Sequence, residues 1–255
     1  MEKSTPLAPI NFIQFIGDKS GSMISQGNSP QIGAQKFLEK WQSISINNKV
    51  YLTFITFSNN MQINFNDNAK NLTPRKINDC KNAMKPNGST RLYDTVIHAL
   101  NQQLENVNKI YDKLSYYEKK IIDKDNIGKI TIICTDGYDN MSIKNKIDMI
   151  KVIQKYKKNG GIILFAGANI DVIKEGESNG ISSNNCLQID PNNHTYTNNA
   201  YNILTEVSLR MSSSTSTDRL SFTQLERNSS CPQLNQPYNF SLPPPPLIRI
   251  NHPLS

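Results

Sequence analysis

The chain of 255 residues has only three histidines, four cysteines and one tryptophan. Cys80, Cys134, Cys186 and Cys231 share no CxxC spacing, and Cys134 falls inside an apolar run that reads as a buried strand. That spacing supports neither a thiolate zinc site nor a disulfide framework. His98, His194 and His252 fall in a helix, in a loop and near the C-terminus, and none has a nucleophile with a matching partner. No run of about 18 apolar residues occurs, so no membrane-spanning helix is expected. The stretch Met1 to Pro6 also lacks the apolar core of a signal peptide, and the expected location is cytoplasmic. A Walker loop is missing as well, because Gly17 to Gly21 has the wrong spacing and no Lys-Ser/Thr follows it.

Acidic residues are outnumbered, 21 against 28 lysines and arginines, for a formal charge of +7. An excess of this sign favours nucleic acid in general, since phosphate neutralisation dominates that affinity. Here Lys, Asn and Ile are over-used along the whole chain, as low-GC coding would give. The densest basic stretch, Lys151 to Lys158, alternates with Val152, Ile153 and Tyr156 and reads as the solvated face of a helix. No compact basic block with interleaved aromatics is read, so nucleic acid is not the expected partner.

What the chain does have is an alternation of strand and helix patterns. Phe12 to Ile16, Val50 to Phe57, Ile130 to Cys134 and Ile162 to Ala166 are apolar on both faces, as strands covered by helices on both sides must be. Met61 to Phe65 reads as a strand antiparallel to the one before it, and Cys186 to Ile189 as a last edge strand. Helical periodicity links Ala34, Phe37, Leu38 and Trp41, then Tyr93 through Val107, Ile143 to Tyr156, and Ala200 through Met211. The order βαββαβαβαβα predicts an α/β fold with a doubly wound, mostly parallel central sheet, one antiparallel edge strand and helices on both faces. Residues 1–9 read as an N-terminal extension, 10–212 as the domain, and 213–255 as a disordered tail rich in Ser, Thr and Pro.

Five oxygen-bearing side chains sit where strands stop or helices start: Asp18, Ser20 and Ser22, then Thr90, then Asp136. A parallel sheet brings such distant loops to one edge. Hydroxyls and carboxylates are hard donors that suit Mg²⁺ or Mn²⁺, whereas Zn²⁺ favours His or Cys. Taken singly, each serine reads as a helix cap or turn former, and Gly21 as the residue that lets the backbone turn tightly.

With the words Asp18 to Met23, Gly88 to Asp94 and Thr135 to Asn140, the set resembles the von Willebrand factor type A domain and its metal ion-dependent adhesion site, whose pattern is Asp-x-Ser-x-Ser, a later Thr and a later Asp. The resemblance covers roughly residues 10 to 212. It implies a binding module in which Ser20, Ser22 and Thr90 are hydroxyl ligands, Asp18 and Asp136 supply charge, and an acidic side chain of a protein partner completes the coordination. Lys19 and Arg91, beside the ligands, are expected on the rim of the site. Asp139 and Asn140 are expected to orient the Asp136 turn, and Asp94 to cap or salt-bridge the start of its helix.

An enzyme of the haloacid dehalogenase type also places an Asp and Mg²⁺ beyond a strand, but its general acid is a second Asp two residues on. Ser20 holds that position here and cannot do acid and base work near neutral pH, so no enzyme is expected. The tail offers a third reading as an interaction scaffold. Arg227 to Pro232 and Arg219 to Ser221 resemble words taken by phosphoserine readers, and Pro243 to Pro246 can form a polyproline II ligand for a proline-motif reader.

Overall fold

A computed structural model describes residues 10–46, 48–124, 127–213 and 221–232. The expectations for residues 1–9, for Arg219 and for Pro243 to Pro246 lie outside the described residues. Six strands form one sheet in the order β3-β2-β1-β4-β5-β6. β1 (Ile10–Asp18), β2 (Lys49–Phe57), β4 (Gly128–Thr135), β5 (Gly161–Gly167) and β6 (Cys186–Gln188) run parallel, and β3 (Met61–Asn68) pairs antiparallel with β2.

Successive residues of a strand point to opposite faces, and the two faces carry separate cores. On one, Ile13, Phe15, Phe54 and Ile132 pack with Phe37 and Trp41 of α1 (Ser29–Ser45), Ile77 of α2 (Pro74–Ala83) and Leu204 of α7 (His194–Ser213). On the other, Ile16, Ile55, Ile133 and Phe165 meet Val96 and Leu100 of α3 (Leu92–Asp112), Ile153 of α5 (Lys146–Lys158) and Val172 of α6 (Val172–Ser178). Each fully buried side chain of this size contributes about 1.5–3 kcal/mol. Among the described residues no helix is long and apolar enough to cross a membrane.

The chain leaves β1 for β2 and β3 on one side, then returns to lay β4 against the other side of β1. The sheet therefore changes winding direction between β1 and β4, the place where open α/β sheets leave a crevice at their carboxyl edge. Asp18 ends β1 and Asp136 follows β4, so both carboxylates stand at this crevice.

Several elements differ from the sequence expectation. β1 runs two residues further, through Gly17 and Asp18, because β2 continues to pair with it as far as Asp18 opposite Phe57. α5 starts at Lys146 instead of Ile143, since the Asn145 side chain accepts from Asp148 N and caps the helix there. α2 and a six-residue helix, α4 (Tyr116–Ile121), have no counterpart in the predicted pattern. The largest difference is in the segment assigned to a structureless tail. Residues 221–232 carry α8 (Gln224–Ser230), whose capping box joins Thr223 and Glu226. Phe222 is buried in the first core, Arg210 pairs with Glu226 at 2.7 Å, and Arg227 donates to the carbonyls of Cys186, Ser183 and Asn184. Ser230 is 0% exposed and its hydroxyl donates to Arg227 O. The phosphoserine reading of Ser230 is thereby overturned, because a kinase or a reader domain cannot reach that side chain in the folded chain.

Candidate functional site

The three predicted loops meet. Asn87 N donates to Lys19 O at 2.6 Å and Gly21 N to Gly88 O at 2.8 Å, which ties the loop after β1 to the loop before α3. Gly88 takes φ +85, a left-handed conformation that favours glycine, and so turns its carbonyl toward Gly21. Gly21 has no such conformation, and a Cβ there would meet Gly88 O at an ordinary 3.5 Å. Its expected role in a tight turn therefore passes to Gly88, and what Gly21 contributes is its N–H. The loop after β4 is held by Asn140 and Asp139: Thr90 N donates to Asn140 Oδ1 at 2.9 Å, Asn140 N returns a bond to Thr90 O, and Tyr93 N donates to Asp139 Oδ1. Both residues thus orient the site, as expected.

Within this frame the five side chains form one cluster. Asp18 is 0% exposed, and its carboxylate accepts from Ser20 N and from Thr135 Oγ1, each at 2.7 Å. Ser20 stands at the cap position of a short 3₁₀ helix, Gly21–Gln26, yet its hydroxyl makes no cap bond. It lies 3.0 Å from Ser22 Oγ, which donates to Asp136 Oδ1 at 2.7 Å. A Cβ on Gly137 would sit 3.9 Å from both Ser22 Oγ and Thr90 Oγ1, so Thr90 faces the same small space across a residue without a side chain. Asp136 is 2% exposed, and its Oδ2 is buried with no hydrogen-bond partner.

Two carboxylates are buried here without compensating positive charge, since neither Asp18 nor Asp136 belongs to an ion pair among the described residues. Burial pushes the Asp18 carboxyl up to about 6, against the lowering effect of its bonds from Ser20 and Thr135, and the Asp136 charge adds to the rise. Asp136 is raised as well, by burial first. An orphaned carboxylate oxygen, three hydroxyls and two unpaired charges form a donor set that fits a hard dication. Among the described residues no group of three His, Cys, Asp or Glu side chains forms an alternative centre.

The rim differs from expectation at one position. Arg91 Nε lies 3.1 Å from Asp94 Oδ2, so its charge is offset within the first turn of α3, whereas Lys19 enters no salt bridge among the described residues. Asp94 also accepts from Ile143 N and Lys144 N, which fixes the approach to α5. Thr135 has a role that the sequence reading did not assign. It bonds Asp18 from the adjacent strand, a contact set by strand pairing and not by spacing along the chain.

The von Willebrand factor type A domain family model matches residues 13–210. No curated protein sequence matches the chain. Among solved structures, the von Willebrand factor domain of the type V pilus tip protein Mfa5 from Porphyromonas gingivalis is 11% identical, with 79% of this chain and 95% of that one covered and a TM-score of 0.54. The pilus adhesin SpaC from Lactobacillus rhamnosus GG is 14% identical over 80% of this chain and 30% of its own, at a TM-score of 0.53. A von Willebrand factor type A protein from Catenulispora acidiphila is 15% identical, with 79% and 43% covered and a TM-score of 0.50. The chain thus spans less than half the length of these last two, and at such identities the likeness is one of fold. A family model that covers residues 13–210 of 255 settles the membership, and the chain belongs to the von Willebrand factor type A domain family.

Proposed function

We propose that the chain is a divalent-metal-dependent protein-binding module and not an enzyme. Asp18, Ser20, Ser22, Thr90 and Asp136 would hold Mg²⁺ or Mn²⁺, and an acidic side chain of a protein partner would complete the coordination. The observation that carries this reading is the buried, unpartnered Oδ2 of Asp136 inside a hydroxyl cluster. Leaving such an oxygen unmet costs about 1–3 kcal/mol or more, which a bound cation would relieve. Bound there, a dication supplies a Lewis-acidic position for a carboxylate. The chain's part is to preorganise the donors. Thr135 and Ser20 N fix the Asp18 carboxylate, Ser22 fixes Asp136, and Asn140 holds the Thr90 backbone. Lys19 favours approach of an acidic ligand. A catalytic reading lacks its acid, since Ser20 stands where a phosphotransferase needs a second Asp.

Isothermal titration with MgCl₂ and MnCl₂ tests the metal site, and a metal-dependent pull-down comparing wild type with Ser20→Ala/Ser22→Ala tests the partner. Heat of binding that vanishes in the double variant is expected. A wild type that binds neither metal by titration or thermal melting would sink the assignment.

A further inference from the structure

α4 inverts the usual distribution of side chains. It is held by a complete capping box, Ser115 with Glu118, yet none of its residues is buried. Tyr116, Tyr117 and Ile121 are 69, 77 and 82% exposed. Tyr117 and Ile121, four residues apart, share one face of the helix. Lys120 lies over the Tyr116 ring at 4.6 Å, and Lys119 and Lys124 lie over the Tyr111 ring at 5.5 and 5.6 Å. Residues 111–124 thus interleave four lysines and three tyrosines with three acidic residues, a mixed cluster of cations and rings rather than a purely basic block. Glu118 is taken by Lys49, the first residue of β2, at 2.8 Å, which places α4 at the amino edge of the sheet, opposite the metal-type cluster.

Three partners take exposed aromatics beside lysines. Single-stranded nucleic acid stacks on open ring faces, but Tyr116 and Tyr117 meet edge-on at 75°, with centroids 5.8 Å apart, and Lys120 covers the Tyr116 face. The fully aliphatic Ile121 offers no stacking surface at all. Protein interfaces enrich Tyr and Arg and deplete Lys, and here the cations are all lysines, with no arginine between residues 109 and 124. Tyr, Ile and Lys on a projecting element match the water–bilayer boundary, where aromatic rings sit at headgroup level and lysine stems lie along apolar surface with their ammonium groups outward.

We propose that this edge docks on the surface of an anionic phospholipid bilayer, with Tyr117 and Ile121 entering the interface and Lys119, Lys120 and Lys124 meeting lipid phosphates. Residues 109–124 hold five lysines against three acids, so charge alone is a weak attraction. The apolar and electrostatic terms act together, and the binding is peripheral and reversible. A chain seated this way carries the Asp18 cluster on the edge facing away from the lipid.

Co-sedimentation of the full chain with vesicles tests the proposal. Vesicles of phosphatidylcholine containing roughly one-third phosphatidylserine are expected to pull it down, and pure phosphatidylcholine is not. Tyr117→Ser/Ile121→Ser and Lys119→Glu/Lys120→Glu should each lower the partition about tenfold or more, with unchanged melting temperatures. Raising the salt should weaken wild-type partition. Equal binding to both vesicle types, no vesicle binding, or variants that partition like wild type would overturn it. So would capture of a single-stranded oligonucleotide that the same variants lose while vesicles are ignored.

Discussion

The two edges of the sheet break the rule of polar outside and apolar inside in opposite ways. At the carboxyl edge, Asp18 and Asp136 are buried with no salt-bridge partner among the described residues. At the amino edge, Tyr117 and Ile121 stand in water. The buried carboxylates cost stability in the isolated chain, whereas the exposed side chains contribute almost none, and both departures are informative. A buried unpaired charge calls for a compact counter-charge of fixed geometry, whereas an exposed apolar tip beside lysines calls for a broad surface. One edge is therefore preorganised by a buried hydrogen-bond network, and the other by a helix cap and exposed lysine contacts.

The strongest way to break the comparison is to empty the carboxyl edge of its charge. Mg²⁺ at about 100 times its Kd adds about 2.7 kcal/mol to the folded state, or roughly 5–10 °C in Tm for a domain of this size. Asp18→Ala and Asp136→Ala should lose that response altogether while remaining folded without metal, as differential scanning calorimetry will show.

pH gives the next effect. The Asp18 carboxyl is raised from 3.8 to about 6 in the fold, so the folded state binds the extra proton between those values. The penalty is absent below about 3.8, grows through the window and is complete above about 6, worth roughly 3 kcal/mol at most. Metal-free stability in urea titrations should therefore contain a component that falls from pH 4 to 7 and is missing in Asp18→Asn. Metal affinity should weaken as pH drops below 6, because protons compete for the same oxygen.

Arg227→Ala removes three bonds to carbonyls between α8 and the β6 region. A loss of about 2 kcal/mol is expected, with Mg²⁺ binding by the remaining folded protein unaltered. The smallest effect sharpens the contrast from the other side. Tyr117→Ser/Ile121→Ser should change unfolding free energy by less than about 0.5 kcal/mol, since α4 buries nothing.

Much of the fold was legible because β1, β2, β4 and β5 are apolar on both faces, and only a helix-covered parallel sheet explains that. The five-residue cluster was legible for a related reason: each member sits beside a strand end or a helix start, where the sheet delivers it to one edge. α2 escaped because only Ile77 and Cys80 of its residues are buried and the remainder is polar. α8 escaped because its exposed face carries Leu225, while the residue that packs, Phe222, lies outside the helix. The Thr223 to Glu226 capping box was its readable sign. Thr135 could not be assigned from spacing, because it reaches Asp18 only through the β1–β4 register that sets Gly17 beside Cys134. The Arg91–Asp94 pair hid in plain view as an i, i+3 pair at a helix start.

α8 lies beyond residue 210, where the family match stops. The segment that carries it plugs the core with Phe222 and occupies a carbonyl of β6, the last strand of the sheet, through Arg227. A chain cut at the family boundary would uncover that strand, and bare sheet edges recruit other strands. Such a fragment should self-associate, so oligomers seen with a trimmed version would report the missing cover and not the biology of the intact molecule.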